Sequence, residues 1–166
     1  MTRSAPVICA LLASALLAAV HHPASAQSPS PLDVDLGHGA NEAFISQQGQ
    51  GQRATIEQRN IEGGLLSGLI RQTGSGNQAD MLLEGGDLAG SIDQVGDDNA
   101  ASLEVRGQGN RGAVVQSGDG NAGGLVVKGQ GQDVTLFQEG GVKTQGAPIS
   151  INSDTPTGQP IIVRQY

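Results

Sequence analysis

The chain has 166 residues, of which 26 are glycine, and it contains no tryptophan, one tyrosine and two phenylalanines. A core without aromatic rings must be filled by aliphatic side chains, each of which buries less surface than a ring, and this favours a thin, repetitive core. The formal net charge of -7 argues against a nucleic-acid partner, because phosphate binding needs a basic face.

The first 26 residues are predicted to be a cleaved export signal. Arg3 supplies a positive charge, residues 5–20 form a mostly apolar run, and Ala-Ser-Ala at 24–26 fits the small-x-small cleavage rule. The apolar run is shorter than the about 20 residues of a comfortable membrane span, so we expect no transmembrane segment in the mature chain. The only cysteine, Cys9, lies inside this signal, which excludes disulfides and thiol chemistry from the mature chain.

Residues 27–40 are predicted to be a flexible leader. Serine and proline alternate at 28–31, glycines stand at 37 and 39, and the segment has no clear apolar periodicity.

An eleven-residue repeat occupies residues 41–140. Within each unit the apolar positions are two residues apart, which is the period of a strand with one buried face. A small residue usually comes first, and an aliphatic residue follows it in every unit. The predicted aliphatic core consists of Ile45, Ile56, Ile70, Met81, Ile92, Leu103, Val114, Leu125 and Leu136.

The third inward position of the unit alternates between two residue types. One set of units carries an amide at Gln47, Gln72, Gln94, Gln116 and Gln138, and the other carries Gln58, Leu83, Val105 and Val127. Two units therefore make one 22-residue coil, and stacked coils place glutamine on glutamine in an amide ladder of the kind that stabilises cross-β structure. A second ladder is predicted at one corner from Asn77, Asn99 and Asn121.

Turn residues separate the predicted strands at regular intervals. Glycine supplies a positive φ, and asparagine tolerates the left-handed region and bonds its own backbone. The predicted turn glycines are Gly49, Gly74, Gly96, Gly107, Gly118 and Gly129. The predicted fold is thus an all-β, two-sheet β-solenoid (a β-helix) of strand-turn units, with coils stacked about 4.8 Å apart.

Two interruptions break the period. Gln58 and Gln72 are fourteen residues apart, so a longer turn is predicted around 61–63. Residues 141–166 are predicted to be an irregular extension, in which 147–151 and 161–165 are candidates for two further strands. The sequence leaves open whether these two join the solenoid.

The ends of such a solenoid determine what it does. Each end presents unpaired backbone groups that can template another chain, and soluble solenoids block them with atypical caps. The sequence shows no helical cap, so we expect copies of the chain to stack edge to edge into a fibre.

Other classes of function receive less support. Asp97, Asp98 and Asp119 resemble the acidic loops of calcium-binding β-rolls, but those follow a nine-residue repeat with a different turn. His38 is the only histidine after the predicted signal, so no catalytic residues, metal ligands or cofactors are predicted and the chain is not expected to be an enzyme. A soluble monomeric solenoid that binds calcium or a surface ligand stays open as the alternative.

The repeat resembles that of the curlins, the subunits of curli fibres, whose pattern is Ser-x5-Gln-x-Gly-x-x-Asn-x-Ala-x3-Gln. The unit from Gln47 through Gly49, Gln52 and Ala54 to Gln58 matches with one change, and the units starting at Gln72 and Gln94 match up to the last glutamine. The resemblance covers about residues 41–140. The departures are the missing leading serine and the second glutamine, which is replaced by Leu83, Val105 and Val127.

What the resemblance implies is a divergent fibre subunit, major or nucleating. Curlins are exported through the periplasm, cross an outer-membrane secretion pore and form extracellular cell-surface amyloid fibres in adhesion and biofilm. The partners implied are further copies of this chain, a second curli subunit and that secretion apparatus.

Overall fold

The structure is a computed structural model that describes residues 17–20, 32–35, 41–141, 148–156 and 158–166. The predicted signal cleavage site, His38 and Ala147 lie outside the described residues.

The described residues form strands joined by turns, with no helix among them. The strands are β1 (Leu17–Val20), β2 (Leu32–Asp35), β3 (Asn41–Gln48), β4 (Arg53–Asn60), β5 (Leu66–Thr73), β6 (Gln78–Gly86), β7 (Leu88–Val95), β8 (Ala100–Gln108), β9 (Arg111–Ser117), β10 (Ala122–Gln130), β11 (Asp133–Glu139), β12 (Ile149–Ser153) and β13 (Ile161–Gln165).

From β3 onward, consecutive strands alternate between two sheets. Sheet A has the order β1-β4-β6-β8-β10-β12, and sheet B has the order β13-β11-β9-β7-β5-β3-β2. All pairs from β3 to β13 are parallel, and the register places Leu103 beside Leu125 in sheet A and Ile70 beside Ile92 in sheet B, 22 residues apart in each case. The predicted β-solenoid is therefore confirmed, with about five coils of 22 residues.

Alternating burial along each strand creates the core between the two sheets. Ile70 and Leu103 are at most 1 % exposed, while the residues on either side of each in the same strand face outward. The small inward residues of sheet B make room for larger side chains of sheet A. A methyl group on Gly90 would lie 2.8 Å from Cδ2 of Leu83 and 2.9 Å from Sδ of Met81, so this column must stay small.

The longer connection between β4 and β5 lies where the sequence predicts it. Ile61 is 68 % exposed in this turn, and the side-chain amide of Asn60 donates to the carbonyl of Gly64 at 2.8 Å. The turn also contacts the following coil, because the N–H of Leu65 donates to Oδ1 of Asp87 at 3.1 Å. The extra residues thus leave the stack without shifting its register.

The two candidate strands near the C-terminus extend the stack by one strand in each sheet. β12 pairs with β10 and places Ile151 beside Val127, while β13 pairs with β11 and places Gln165 beside Gln138. Both pairings are parallel, so residues 149–153 and 161–165 continue the register of the repeat.

Two strands that the sequence analysis did not anticipate lie at the other end. β1 pairs antiparallel with β4, with Val20 opposite Ala54, and β2 pairs antiparallel with β3, with Val34 opposite Ile45. These are the only antiparallel pairs in the described part of the chain. In the same residues there is no helix long and apolar enough to cross a membrane.

Candidate functional site

The glutamines of sheet B form a continuous ladder of buried side chains. Each Nε2 donates to Oε1 of the glutamine one coil further on, at 2.6 Å from Gln47 to Gln72 and at 2.7 Å for each of the next three steps. A last step of 2.9 Å joins Gln138 to Gln165. Gln72, Gln94, Gln116 and Gln138 are at most 1 % exposed, so their amides are satisfied only by one another and by the backbone.

The second hydrogen of these side-chain amides bonds to a backbone carbonyl of the facing sheet. Nε2 of Gln94 donates to the carbonyl of Gln78 at 3.0 Å, and Nε2 of Gln116 donates to the carbonyl of Ala100 at 2.9 Å. These carbonyls belong to the first residues of sheet A strands, so each glutamine crosses the interior and ties the end of one strand to the start of another. A buried amide with both donors and its acceptor paired stabilises a unique arrangement of the core.

All steps of the ladder run in the same direction. Gln47 at one end donates to Gln72, and Gln165 at the other end accepts from Gln138. The ladder therefore presents an acceptor oxygen on Gln47 and a donor amide on Gln165. Both of these residues are partly exposed, unlike the members between them.

The predicted asparagine ladder joins side chains to backbone more than side chains to each other. Oδ1 of Asn77 accepts from the N–H of Asn99, and Oδ1 of Asn99 accepts from the N–H of Asn121, each at 2.9 Å. The N–H of Gly141 donates to Oδ1 of Asn121 at 3.0 Å. All three asparagines are at most 1 % exposed. Their role is to supply buried turn N–H groups with acceptors, which water cannot reach there.

At the opposite corner, the residue type changes from coil to coil along the stack. This corner begins at Asn41, which lies beside Leu66. Leu66 and Leu88 are at most 2 % exposed, and the next two positions are Asn110 and Gln132. Oδ1 of Asn110 accepts from the N–H of Gln132 at 2.8 Å, as in the first corner. The sequence aligns these positions with the leading serine of the curlin repeat, but their mixed residue types did not predict a buried corner. The 22-residue spacing from Leu66 to Gln132 was the available signal.

In sheet A, the third inward position of each strand forms a largely apolar file, a row of side chains stacked from coil to coil. Leu83, Val105 and Val127 are fully buried, each directly beside the next. Gln58 begins the file, and its Nε2 donates to the carbonyls of Glu42 at 2.6 Å and Leu66 at 3.2 Å. The described core thus holds one amide file and one largely aliphatic file on facing sheets.

The structure brings the predicted core residues together between the sheets. All nine are at most 4 % exposed, and each pairs in register with its neighbours one coil away. They are Ile45, Ile56, Ile70, Met81, Ile92, Leu103, Val114, Leu125 and Leu136, of which Ile45 has the highest exposure, 4 %.

The predicted turn glycines all have positive φ and form two separate stacks, one of Gly49, Gly74, Gly96 and Gly118 and the other of Gly107 and Gly129. A methyl group at Gly107 would collide with the carbonyl oxygen of Gly129, so these two turns pass too close for a side chain there. The φ values are 127° at Gly49, 118° at Gly74 and Gly96, 103° at Gly107, 94° at Gly118 and 110° at Gly129.

The aspartates of the turns bond to the backbone of neighbouring coils. Oδ1 of Asp97 accepts from the N–H of Ser75 at 2.7 Å, and Oδ1 of Asp119 accepts from the N–H of Asp97 at 2.8 Å. Asp98 adopts a φ of 55°, where two other coils have Gly76 and Gly120. Within the described ranges, no group of three or more His, Cys, Asp or Glu side chains is placed to hold a metal ion.

Charged side chains pair across coils on the outer face of sheet A. Arg59 contacts Glu57 and Glu84, and Arg106 contacts Glu84 and Glu104. Hydrogen bonding to Glu84, together with Glu57, raises the pKa of the Arg59 guanidinium above its usual value. Exposed pairs contribute little stability individually, but this row keeps the face polar.

The outer face of sheet B differs in its later coils. Val115 and Phe137 are partly buried and lie side by side, and the Arg164 guanidinium stands 5.0 Å from the centre of the Phe137 ring. This geometry is that of a cation–π contact.

No family model matches the chain, and no curated protein and no solved structure matches it either. The fold itself defines the class of protein, a two-sheet parallel β-solenoid with internal side-chain ladders.

Proposed function

We propose that the chain is a secreted structural subunit that assembles, end strand to end strand, into extracellular amyloid fibres of the curli type. The observation that carries this proposal is the single direction of the buried glutamine ladder. Because every step donates from the earlier coil to the later one, Gln165 of one copy can donate to Gln47 of the next. The join would repeat the contact already made within the chain.

The other inward positions of the end strands support the same join. In sheet B, β13 carries Ile161 and Val163 in the two columns that β3 fills with Ala43 and Ile45. An aliphatic side chain would thus meet a small or aliphatic one at each position. Stacking of like strands at the usual spacing is the arrangement that gives cross-β fibres their stability.

The location and partners in this proposal come from the sequence. An export signal with a small-x-small site supports secretion, and the curlin-like repeat supports a cell-surface fibre in adhesion and biofilm, a second subunit and an outer-membrane secretion pore. Nothing in the proposed role requires catalysis, a cofactor or nucleic acid.

A soluble monomeric solenoid is the second candidate, and specific features favour it. β2 covers the edge of β3 with an antiparallel pairing. Pro148 and Pro160 immediately precede β12 and β13, and neither can donate a backbone hydrogen bond at the start of these outer strands. In this candidate the solenoid binds calcium or another surface ligand through its turns.

Thioflavin fluorescence and sedimentation of the chain from Gln27 onward, with and without a calcium chelator, separate the two candidates. The fibre proposal predicts conversion to sedimenting, β-rich fibres at the same rate in both conditions. A chain that stays soluble and monomeric at high concentration would refute the fibre proposal, and a calcium-dependent change in its stability would favour the second candidate.

A further inference from the structure

The two sheets contribute unequal numbers of parallel strands. Without the antiparallel β1 and β2, sheet B has six strands and sheet A has five. A stack that continues both sheets from one copy to the next needs equal numbers from each copy. Joining β13 of one copy to β3 of the next therefore leaves one position in sheet A empty, between β12 of the first copy and β4 of the second.

β1 shows that this position accepts a strand. It lies against the edge of β4, with Leu17 opposite Glu57 and Val20 opposite Ala54. β1 belongs to the predicted signal, so its removal would free that edge of β4. A strand that remains in the mature chain must then fill the gap.

β2 has the spacing that the position requires. In the solenoid, a sheet A residue precedes its sheet B counterpart by eleven residues, as Met81 precedes Ile92 and Leu103 precedes Val114. Leu32 and Val34 precede Ala43 and Ile45 by the same eleven residues.

The residue types of β2 also suit a strand with one buried face. Leu32 and Val34 alternate with Asp33 and Asp35, and Leu36 continues the alternation in the sequence. The connection to β3 then has the length of an ordinary unit, with no insertion.

We infer that β2 leaves β3 when the chain assembles and becomes the missing parallel strand of sheet A at the junction, between β12 of a neighbouring copy and β4 of its own. This inference rests on the proposed fibre function. Val34 then stacks between Ile149 of the neighbouring copy and its own Ile56. The partner of this surface is a second copy of the chain.

The exchange couples two events at one end of the solenoid. In the separate chain, β2 occupies the β3 edge that β13 of the incoming copy must use, since Leu32 lies opposite Gln47. Moving β2 to sheet A frees that edge and fills the gap beside β4 in one step. Each copy would then contribute six complete coils of two strands.

Deletion of residues 27–40 tests this inference, because the two possible roles of β2 predict opposite changes in the concentration of soluble chain. If β2 is part of the fibre junction, removal of residues 27–40 raises the concentration of soluble chain at equilibrium with fibres at least about tenfold, because the junction loses the burial of two aliphatic side chains. If β2 only blocks β3, the same deletion lowers that concentration. A fall or no change would overturn the inference.

A point variant and its matched control, both made in the chain from Gln27 onward, provide a second test. Val34→Glu places a charge at the inward position and is expected to raise the equilibrium soluble concentration at least about tenfold. Asp33→Asn changes a neighbouring outward position and is expected to leave it within about twofold. Equal effects of the two variants would contradict the inward placement of Val34.

Hydrogen exchange of wild-type fibres provides a readout that needs no variant. The amides of residues 32–35 are expected to be as strongly protected in fibres as those of β4, and rapid exchange there would overturn the inference while the fibre function stands. A chain that forms no fibres at all would instead refute the proposed function, and this inference with it.

Discussion

The side-chain amide of Gln94 donates to Oε1 of Gln116 across 2.7 Å, and both residues are completely buried. They are 22 residues apart in sequence and lie at equivalent positions of neighbouring coils. This contact fixes the register of the coils, because a slip of one residue would move the amides to the outer face and charged or polar residues into the core.

Replacing Gln94 by leucine removes one member of the ladder. Nε2 of Gln72 loses one of its two acceptors, and Oε1 of Gln116 and the carbonyl of Gln78 each lose the donor that Gln94 supplies, in a buried site. We expect a loss of about 3 kcal/mol in the free energy of unfolding, measured by urea denaturation of freshly purified, unassembled chain. The exposed Gln108→Leu is the control, with a change within about 0.5 kcal/mol. Similar losses for both variants would show that the amide ladder does not stabilise the chain.

In the aliphatic file of sheet A, an amide ladder can be introduced rather than removed. Val105→Gln places a single amide between Leu83 and Val127, with no amide partner in the file, and should destabilise the chain by about 2 kcal/mol. Adding Leu83→Gln and Val127→Gln supplies neighbours for both sides of that amide. We therefore expect the triple variant to be clearly more stable than the sum of the three single effects. Strictly additive losses in the same denaturation assay would argue against ladder formation in sheet A.

Two turn glycines allow the cost of a positive φ to be separated from the cost of a steric collision. Gly107→Ala combines a positive φ with a collision against the carbonyl of Gly129, whereas Gly120→Ala has a φ of 70° and open space around the new methyl group. We expect Gly120→Ala to cost about 1 kcal/mol and Gly107→Ala about 3 kcal/mol or more, because only the latter must separate two coils. Thermal unfolding of both variants checks the order, which a looser stack would abolish.

The fold was predictable because the repeat uses few residue types at fixed spacing. Ile70 and Ile92, or Gln72 and Gln94, define the 22-residue coil without any structural information. The turn glycines followed from the same spacing. Equivalent positions with different chemistry were aligned by the repeat but not predicted to form one buried corner, as with Leu66 and Asn110 at the second corner.

The ends of the chain were harder to predict, for two physical reasons. Insertions interrupt the period before β12 and β13, so only pairing in three dimensions shows that Ile151 and Gln165 continue their files. At the other end, Leu32 and Val34 form one short strand flanked by prolines and glycines, and a single short alternation carries little information without a repeat beside it.

The outer faces predict different behaviour for two segments of the chain. Residues 54–83 carry Glu57, Arg59 and Asp80 outward, whereas residues 112–138 carry the apolar Val115 and Phe137 on the outer face. Outward charges oppose premature pairing of strands. We expect a peptide of 112–138 to form fibres faster than one of 54–83 in a thioflavin assay at equal concentration, and equal rates would contradict the role given to these charges.

In the proposed fibre, the file of like positions inside one chain continues across the junction into the next chain. In such a fibre, Ile162 of one copy lies directly over Phe44 of the next, at the spacing of neighbouring strands, about 4.8 Å. The most direct test is electron paramagnetic resonance of fibres mixed from chains that carry a spin label at Ile162→Cys or at Phe44→Cys. We expect strong dipolar broadening in the mixed fibres that is much weaker when either labelled chain is diluted with unlabelled chain. Mixed fibres whose spectra match the diluted ones would show that the chains do not join head to tail in this register.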